Sequence, residues 1–295
     1  MMTRRHRNIS SLLAIILSLL AASVNSFGPK TLLLTTHNRI SALDAEATAS
    51  DTAKEASMLI DKLRQIAGRT NRGFQATSMD RRQARDLAFS LEKLNPTAAP
   101  AAAYYESSIT ESAADAAEGP TVSGKWNLIF TDAPDITSLD TSRNPFSTAT
   151  LGRIGQECNP PYVKNVIEWK RPSWAGNLPF SGSEDSRVLQ KVVTLASASP
   201  EKPDVVDLKI AGLELENPNQ DDQLSTNGGG IASRVERDGL VAGLLSSNPI
   251  DLKGPLNPPF GQFRILYLDE DLRITLTSQN YIAVNSRCKE GGEWF

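Results

Sequence analysis

Histidine and cysteine are what this sequence has least of, two of each in 295 residues. Both histidines, His6 and His37, fall in the first 43 positions. If that stretch is removed on maturation, the remainder has no Ser-His-Asp or Cys-His pair and no histidine metal ligand. It also has no side chain whose unperturbed pKa lies near neutrality. Cys158 and Cys288 are too few for a disulfide framework or a zinc site. One bridge between them would need Cα atoms within about 7 Å, so free thiols are the default and a redox-switched bridge the alternative. No G-x-x-x-x-G-K-[ST] phosphate loop is present, and Gly228-Gly229-Gly230 lacks both the following Lys and a strand–helix context. No G-x-S-x-G elbow occurs. Asp221-Asp222 lies in a polar stretch, where solvation explains it. These absences point away from an enzyme and imply no metal and no cofactor. Long apolar runs are missing too. The best, Leu12–Ala22, is broken by Ser18 and falls short of the about 20 residues a bilayer span needs.

Charge is unevenly spread. The chain carries 31 basic and 34 acidic groups, net -3, which argues against a nucleic-acid binder. Arg4, Arg5, Arg7, Lys30 and Arg39 are basic groups of residues 1–43, which hold no acid. The rest therefore has 26 basic against 34 acidic groups, a net of -8. A basic start, the Leu12–Ala22 run, and Val24 and Ser26 at the -3 and -1 positions before Phe27 form a signal peptide over 1–26. A membrane anchor is the competing reading. Residues 27–45 begin FGPKTLLLTTHNRISAL, basic, hydroxyl-bearing and acid-free over that stretch, which is transit-peptide composition. A signal peptide joined to a transit peptide at Asn25-Ser26-Phe27-Gly28-Pro29 resembles the two-part plastid presequence of algae with secondary plastids.

Residues 50–96 read as helical. Ser50 or Asp51 can cap a helix whose apolar positions include Leu59, Ile60, Leu63 and Ile66, and Gly68 and Gly73 can end it. Ser78 can cap a second helix with Ala84, Leu87, Leu91 and Leu94 on one face, stopped by Asn95-Pro96. Arg81, Arg82 and Arg85 occupy the opposite face, either solvated or set against anionic lipid head groups. Residues 97–120, rich in Ala, Glu and Ser, read as a linker or a helix lying over the next domain.

From 121 to 290 the texture is that of antiparallel sheet. Candidate strands are 125–131, 162–169, 187–196, 205–215, 263–268, 272–277 and 282–287. In the third, Val188, Gln190, Val192 and Thr194 share one face. Asp269-Glu270-Asp271 reads as a hairpin turn. No strand–helix–strand alternation appears, so a sandwich or an up-and-down barrel is expected. Residues 216–262 interrupt the rhythm as a long polar, proline-bearing insertion, either a flap over a barrel mouth or a segment of low order. Trp169 and Trp174 bracket Lys170-Arg171-Pro172, which suits a membrane interface or a Trp-anchored loop.

Several motifs together resemble a known family. Gly124-Lys125-Trp126 is similar to the lipocalin start motif. Tyr267-Leu268-Asp269-Glu270-Asp271-Leu272-Arg273-Ile274 resembles the C-terminal signature of the plastid lipid-associated proteins, also called fibrillins or plastoglobulins. Leu151–Gln156 with Asn165-Val166, Asn71-Arg72-Gly73, the Leu91–Pro96 helix ending and the final Arg287 fit the same pattern, over residues 54–287. The resemblance implies a mainly β fold, a lipocalin-like antiparallel barrel behind an N-terminal helical segment. It also implies a plastid protein at plastoglobules or thylakoids, with a prenylquinone, carotenoid or acyl lipid as partner. Thr275–Asn280 departs from the family's glycine-rich stretch there. On this reading Trp126 and Arg287 stack at the closed end of the barrel. Asp269, Asp271 and Arg273 pair locally in the hairpin, or Arg273 meets a ligand's head group. Tyr267 is core or lines the lumen. Two rivals remain open. One is a structural coat protein with a filled barrel. The other is a carotenoid enzyme relying on carboxylates such as Asp269.

Overall fold

The structure is a computed structural model that describes residues 42–106, 120–140, 147, 149–172, 186–218, 250–253, 259–289 and 294–295. The chain divides into two units, Met1–Ser57 and Met58–Phe295. In the first, the described residues are the start of helix α1 (Ala42–Arg69). The presequence expected over 1–26 and 27–45 lies almost wholly outside the described residues, as do Trp174, Asp221-Asp222 and Gly228–Gly230.

The second unit is built on nine strands. They are β1 (Gly124–Thr131), β2 (Thr150–Asn159), β3 (Tyr162–Lys170), β4 (Arg187–Ser199), β5 (Lys202–Glu216), β6 (Ile250–Lys253), β7 (Pro259–Leu268), β8 (Leu272–Thr277) and β9 (Ile282–Arg287). All pair antiparallel, in the order β4-β3-β2-β1-β9-β8-β7-β5-β6 with the hairpin neighbours β4 and β5 also paired, so the meander closes on itself where the first strand, β1, meets the last, β9. Eight strands therefore form a closed up-and-down barrel, and β6 is appended to the end of β5. Closure removes the unpaired edges an open sheet would present.

All seven strands expected from side-chain alternation are present. Two were not expected. β2 contains Gly152 and Gly155 among polar residues, so it shows little alternation, and glycine weakens a strand signal. β6 is four residues long and sits inside the 216–262 insertion, whose ends also lengthen β5 and β7. Among the described parts of that insertion, then, the chain is in or next to strands.

The helices differ from expectation mainly at their starts. α1 begins at Ala42, ahead of Ser50. α2 (Ser78–Glu92) is capped by Thr77, one residue before the expected Ser78. Thr77 and Asp80 form a reciprocal capping box, and Arg69 at the end of α1 reaches Asp80 at 2.5 Å. The turn between the helices carries positive φ at Asn71, Arg72 and Gly73. At Gly73, φ is +92 and an added Cβ would lie 2.0 Å from the Thr131 carbonyl oxygen. Only glycine lets this turn close onto the end of β1, where Thr131 N donates to Arg72 O.

α2 lies along the outside of the barrel. Glu92 pairs with Arg264 on β7, and Arg85 donates to Asp132 Oδ2 at 2.9 Å and to the Asn280 carbonyl. Of the three arginines expected on a free face, Arg85 thus braces the helix to the barrel. Phe130, Ile274 and Val284 are neighbours on the outward face of β1, β8 and β9, and all three are fully buried. Each such side chain contributes about 1.5–3 kcal/mol by leaving water.

Two apolar clusters occupy the barrel. One joins Trp126, Cys158, Val163, Val206, Phe263 and Ile265 with Ala101 and Tyr104. The other joins Leu128, Ile154 and Ile167 with Phe74, and Trp169 packs against it. The segment expected to be a linker therefore supplies a plug at its described end. A short 3-10 turn, Ala102–Tyr104, is held by Ala101 N to Pro203 O at 2.8 Å and by a bridge from Tyr105 to Ala198. Trp169 packs against the second cluster and donates to Gln190 Oε1 at 2.9 Å.

Candidate functional site

The most distinctive chemistry lies at the Trp126 end of the barrel. β1 pairs with β9 so that Trp126 faces Arg287, and the Arg287 guanidinium carbon lies 4.1 Å from the indole centroid. This is the stack expected at the closed end. Arg287 also donates to Glu270 O at 2.6 Å, Ser123 O at 2.6 Å and Thr121 O at 2.5 Å. It thereby ties the lead-in to β1 and the β7–β8 hairpin to the same ring. Burial lowers its pKa, with Glu270 opposing and Arg273 reinforcing the effect. Trp126 is fully buried, and its Nε1 donates to Val122 O at 2.8 Å.

A second guanidinium shares this indole. Arg273 is 0% exposed, and its guanidinium carbon lies 4.8 Å from the Trp126 centroid. Its Nη1 donates to Cys158 Sγ at 2.9 Å and its Nη2 to Gln156 Oε1. Both acceptors are on β2, which two intervening strands, β1 and β9, separate from β8 around the ring. Contacts between strands that do not neighbour each other place the Arg273 side chain inside the barrel. Gln156 is held in turn by its Nε2 donating to Asn165 Oδ1 at 2.6 Å.

Two polar atoms in this cluster have no oxygen partner. Arg273 Nε and the Tyr104 hydroxyl are both buried; the first makes no hydrogen bond, and the second has only the weakly accepting Cys158 thiol beside it. Burial raises the pKa of Tyr104 well above the usual phenol range. Its neighbour Cys158 adds to the rise and Arg273 opposes it. A buried cation normally finds a carboxylate, because taking an isolated charge out of water is costly. Here the partners of Arg273 are a thiol, an amide and a ring. An oxygen acceptor entering beside Arg273 and Tyr104 would satisfy both donors.

The remaining expected residues fall elsewhere. Tyr267 pairs directly with Ile274, so it shares a face with Ile274 and opposes that of Arg273. Its hydroxyl donates to Asp269 Oδ2 at 2.9 Å. Its ring is buried and faces away from Arg273, and its proton is engaged. Burial, then Asp269, raises its pKa. The hairpin is not fixed by ion pairs, as expected for Asp269, Asp271 and Arg273. Asp269 Oδ1 accepts the backbone N–H groups of Asp271 at 2.8 Å and Leu272 at 2.6 Å, while Arg273 turns inward. Asp271 contributes its carbonyl to Arg287 N at 2.9 Å. Cys158 and Cys288 are free thiols, the first buried and the second half-buried.

Sequence reasoning paired Trp126 with Arg287, set Arg273 apart in the hairpin or at a ligand head group, and missed Tyr104, Gln156 and Cys158 as their partners. A signal for Tyr104 was available. Tyr104-Tyr105 is an aromatic pair in an Ala- and Ser-rich stretch, and aromatics there suggest an anchor. Among the described residues, no group of three His, Cys, Asp or Glu side chains could hold a metal ion. No described helix is long and apolar enough to cross a membrane.

Residues 57–284 match the family model PAP_fibrillin. A protein from Citrus unshiu described as "Plastid-lipid-associated protein, chloroplastic" is 29% identical over 214 residues, which are 70% of this chain and 60% of that protein. The chain thus aligns with less than two thirds of that relative's length. No solved structure matches.

Proposed function

Since the chain belongs to the PAP_fibrillin family, we propose that it is a plastid lipid-associated protein that binds a hydrophobic small molecule through its barrel. The ligand class is a prenylquinone, carotenoid or acyl lipid, held at plastoglobule or thylakoid surfaces, and the role is binding rather than catalysis. The observation that carries this reading is the pair of donors without an oxygen partner, Arg273 Nε and Tyr104 OH, buried beside an otherwise apolar cluster. A ligand carbonyl, hydroxyl or carboxylate oxygen would accept from them, with Trp126 alongside. An apolar chain gains about 25 cal/mol per Å² removed from water, and a few polar groups then fix its head. Residues 1–26 and 27–45 act in this proposal as the two-part address to a secondary plastid, and they supply both histidines.

The test is lipid extraction from protein purified out of its native membrane, followed by quenching of Trp fluorescence with the extracted lipid. A co-purifying quinone, carotenoid or acyl lipid that quenches the parent is the expected result. Arg273→Met should keep the fold and weaken that binding at least about tenfold, the loss of one charge-assisted hydrogen bond. Absence of any such lipid, or equal binding by the variant, overturns the reading. A second reading, a structural coat protein, draws support from the filled clusters around Phe74, Leu128 and Ile167 and around Tyr104. It predicts lipid-droplet association with no stoichiometric ligand.

A further inference from the structure

Arg273 is a fully buried cation with no acid to neutralise it. Its contacts are the Cys158 thiol, the Gln156 amide oxygen and the Trp126 ring, and among the described residues no carboxylate lies within ion-pair distance. Arg287 brings a second positive charge to the same indole, and the two guanidiniums repel each other. The exposed acids of the β7–β8 hairpin, Glu270 and Asp271, act on Arg287. A neutral oxygen could complete the hydrogen bonds of Arg273, but only an anion also cancels a charge held out of water.

Accessible surface leads up to this cation from inside the barrel. Trp126, Gln156, Asn165, Val192 and Leu213 are paired in succession from β1 to β5. Directly paired residues share a face, so the row lies on the inward face that Trp126 occupies. Trp126 is fully buried, yet Gln156, Asn165, Val192 and Leu213 are each only partly buried. Their inward neighbours on β2 and β3 are sealed. Cys158 and Val163 belong to one apolar cluster, and Ile154 and Ile167 to the other. Gln156 and Asn165, joined by their 2.6 Å hydrogen bond, thus form a polar layer between the two clusters that packing leaves partly open. Arg273 reaches this layer through Gln156.

We propose that the barrel takes its ligand as an anion, an amphiphile with an ionised carboxylate head such as a free fatty acid. Arg273 Nε donates to the carboxylate and Tyr104 OH donates as well, exchanging a thiol acceptor for a charged oxygen. Both donors flank Cys158, so one carboxylate reaches the two. The amides of Gln156 and Asn165 lie nearest the head, and Val192 and Leu213 give the chain apolar surface. This inference rests on the reading of the barrel as a ligand carrier and narrows its ligand from neutral quinones and carotenoids to carboxylates.

The full chain is titrated with cis-parinaric acid, whose fluorescence rises on leaving water, and with its methyl ester, which has the same chain and no charge. The acid should bind at least about tenfold tighter at neutral pH, the worth of one charge-assisted hydrogen bond. Arg273→Met should abolish that preference while ester binding stays within about twofold. Circular dichroism checks folding. If that variant unfolds, Tyr104→Phe is used, with the preference expected to fall about threefold. The comparison of acid with ester on the parent chain needs no variant. Equal binding of acid and ester, or a preference that survives both substitutions, overturns the inference and leaves the carrier reading standing. So does stronger displacement of the probe by decylplastoquinone than by palmitate. Failure of acid, ester and quinone alike to bind overturns the carrier reading and this inference with it.

Discussion

Trp126 is the residue on which the base of the barrel turns. It is a fully buried indole with two guanidiniums within 5 Å of its centroid, at 4.1 and 4.8 Å. Arg287 acts as a strut, since three backbone carbonyls from two loops converge on it. Arg273 has no comparable set of oxygens, which separates a structural arginine from one available to a ligand. Cys158 sits beside Arg273, whereas Cys288 follows the last strand, with its N–H bonded to Lys125 O. Burial raises the pKa of Cys288, with Lys125 opposing. An aromatic disulfide reagent should therefore label Cys288 slowly in the native protein and Cys158 only on unfolding, and counting thiols with and without denaturant checks this. Rapid native labelling of both thiols would contradict the burial of Cys158.

At the scale of elements, the two helices act as a brace for the barrel. The α1–α2 corner is held by the Thr77–Asp80 capping box, by Arg69 and by the Gly73 turn against Thr131. Hydrogen bonds from Thr77, then Arg69, depress the pKa of Asp80 from 3.8 to about 2. Its folded pKa lies below its unfolded one, so the stabilisation is present above pH 3.8 and is lost as pH falls toward about 2. Asp80→Ala should lower the melting temperature near neutrality and converge with the parent at about pH 2, as thermal melts across that range would reveal. A constant difference at every pH would mean that the carboxylate's charge is irrelevant. A hydroxyl cap at the start of this helix was legible, but it was set at Ser78, one residue late, and the box that Thr77 forms with Asp80 was missed. The role of Arg85 was not legible. A charged helix face looks solvated until the partner, Asp132 at 2.9 Å, is known to lie across from it.

The whole molecule depends on one pairing that no local pattern announces. Strand neighbours in the meander follow chain order, but the ring closes only because the first and last strands, β1 and β9, pair with each other. A two-layer sandwich and a barrel share the same alternation, so the choice between them is made by this contact. If the ring is closed, backbone amides of Val193–Ala196 should resist hydrogen exchange as strongly as those of Val284–Ser286, since all lie on strands paired on both sides. Exchange measured by mass spectrometry or NMR tests this. Fast exchange confined to β1 and β9 would indicate an open sheet.

By itself, the sequence determined the mainly β architecture, seven of the nine strands, the helical segment ahead of them and the family, because two-residue and 3.6-residue periodicities and short motifs are local properties. It also determined that the two histidines lie together in the first 43 residues. Tertiary structure alone decided the rest. It placed Arg273 inside the barrel and Tyr267 outside, a matter of which face each residue takes after the bulge between Ile265 and Tyr267. It brought Tyr104 in from the segment expected to be a linker, and it gathered Arg273, Gln156 and Asn165 from three strands into one polar layer. The physical reason is that charge compensation and burial are sums over neighbours in space. Residues far apart in the chain enter those sums only after the barrel has closed.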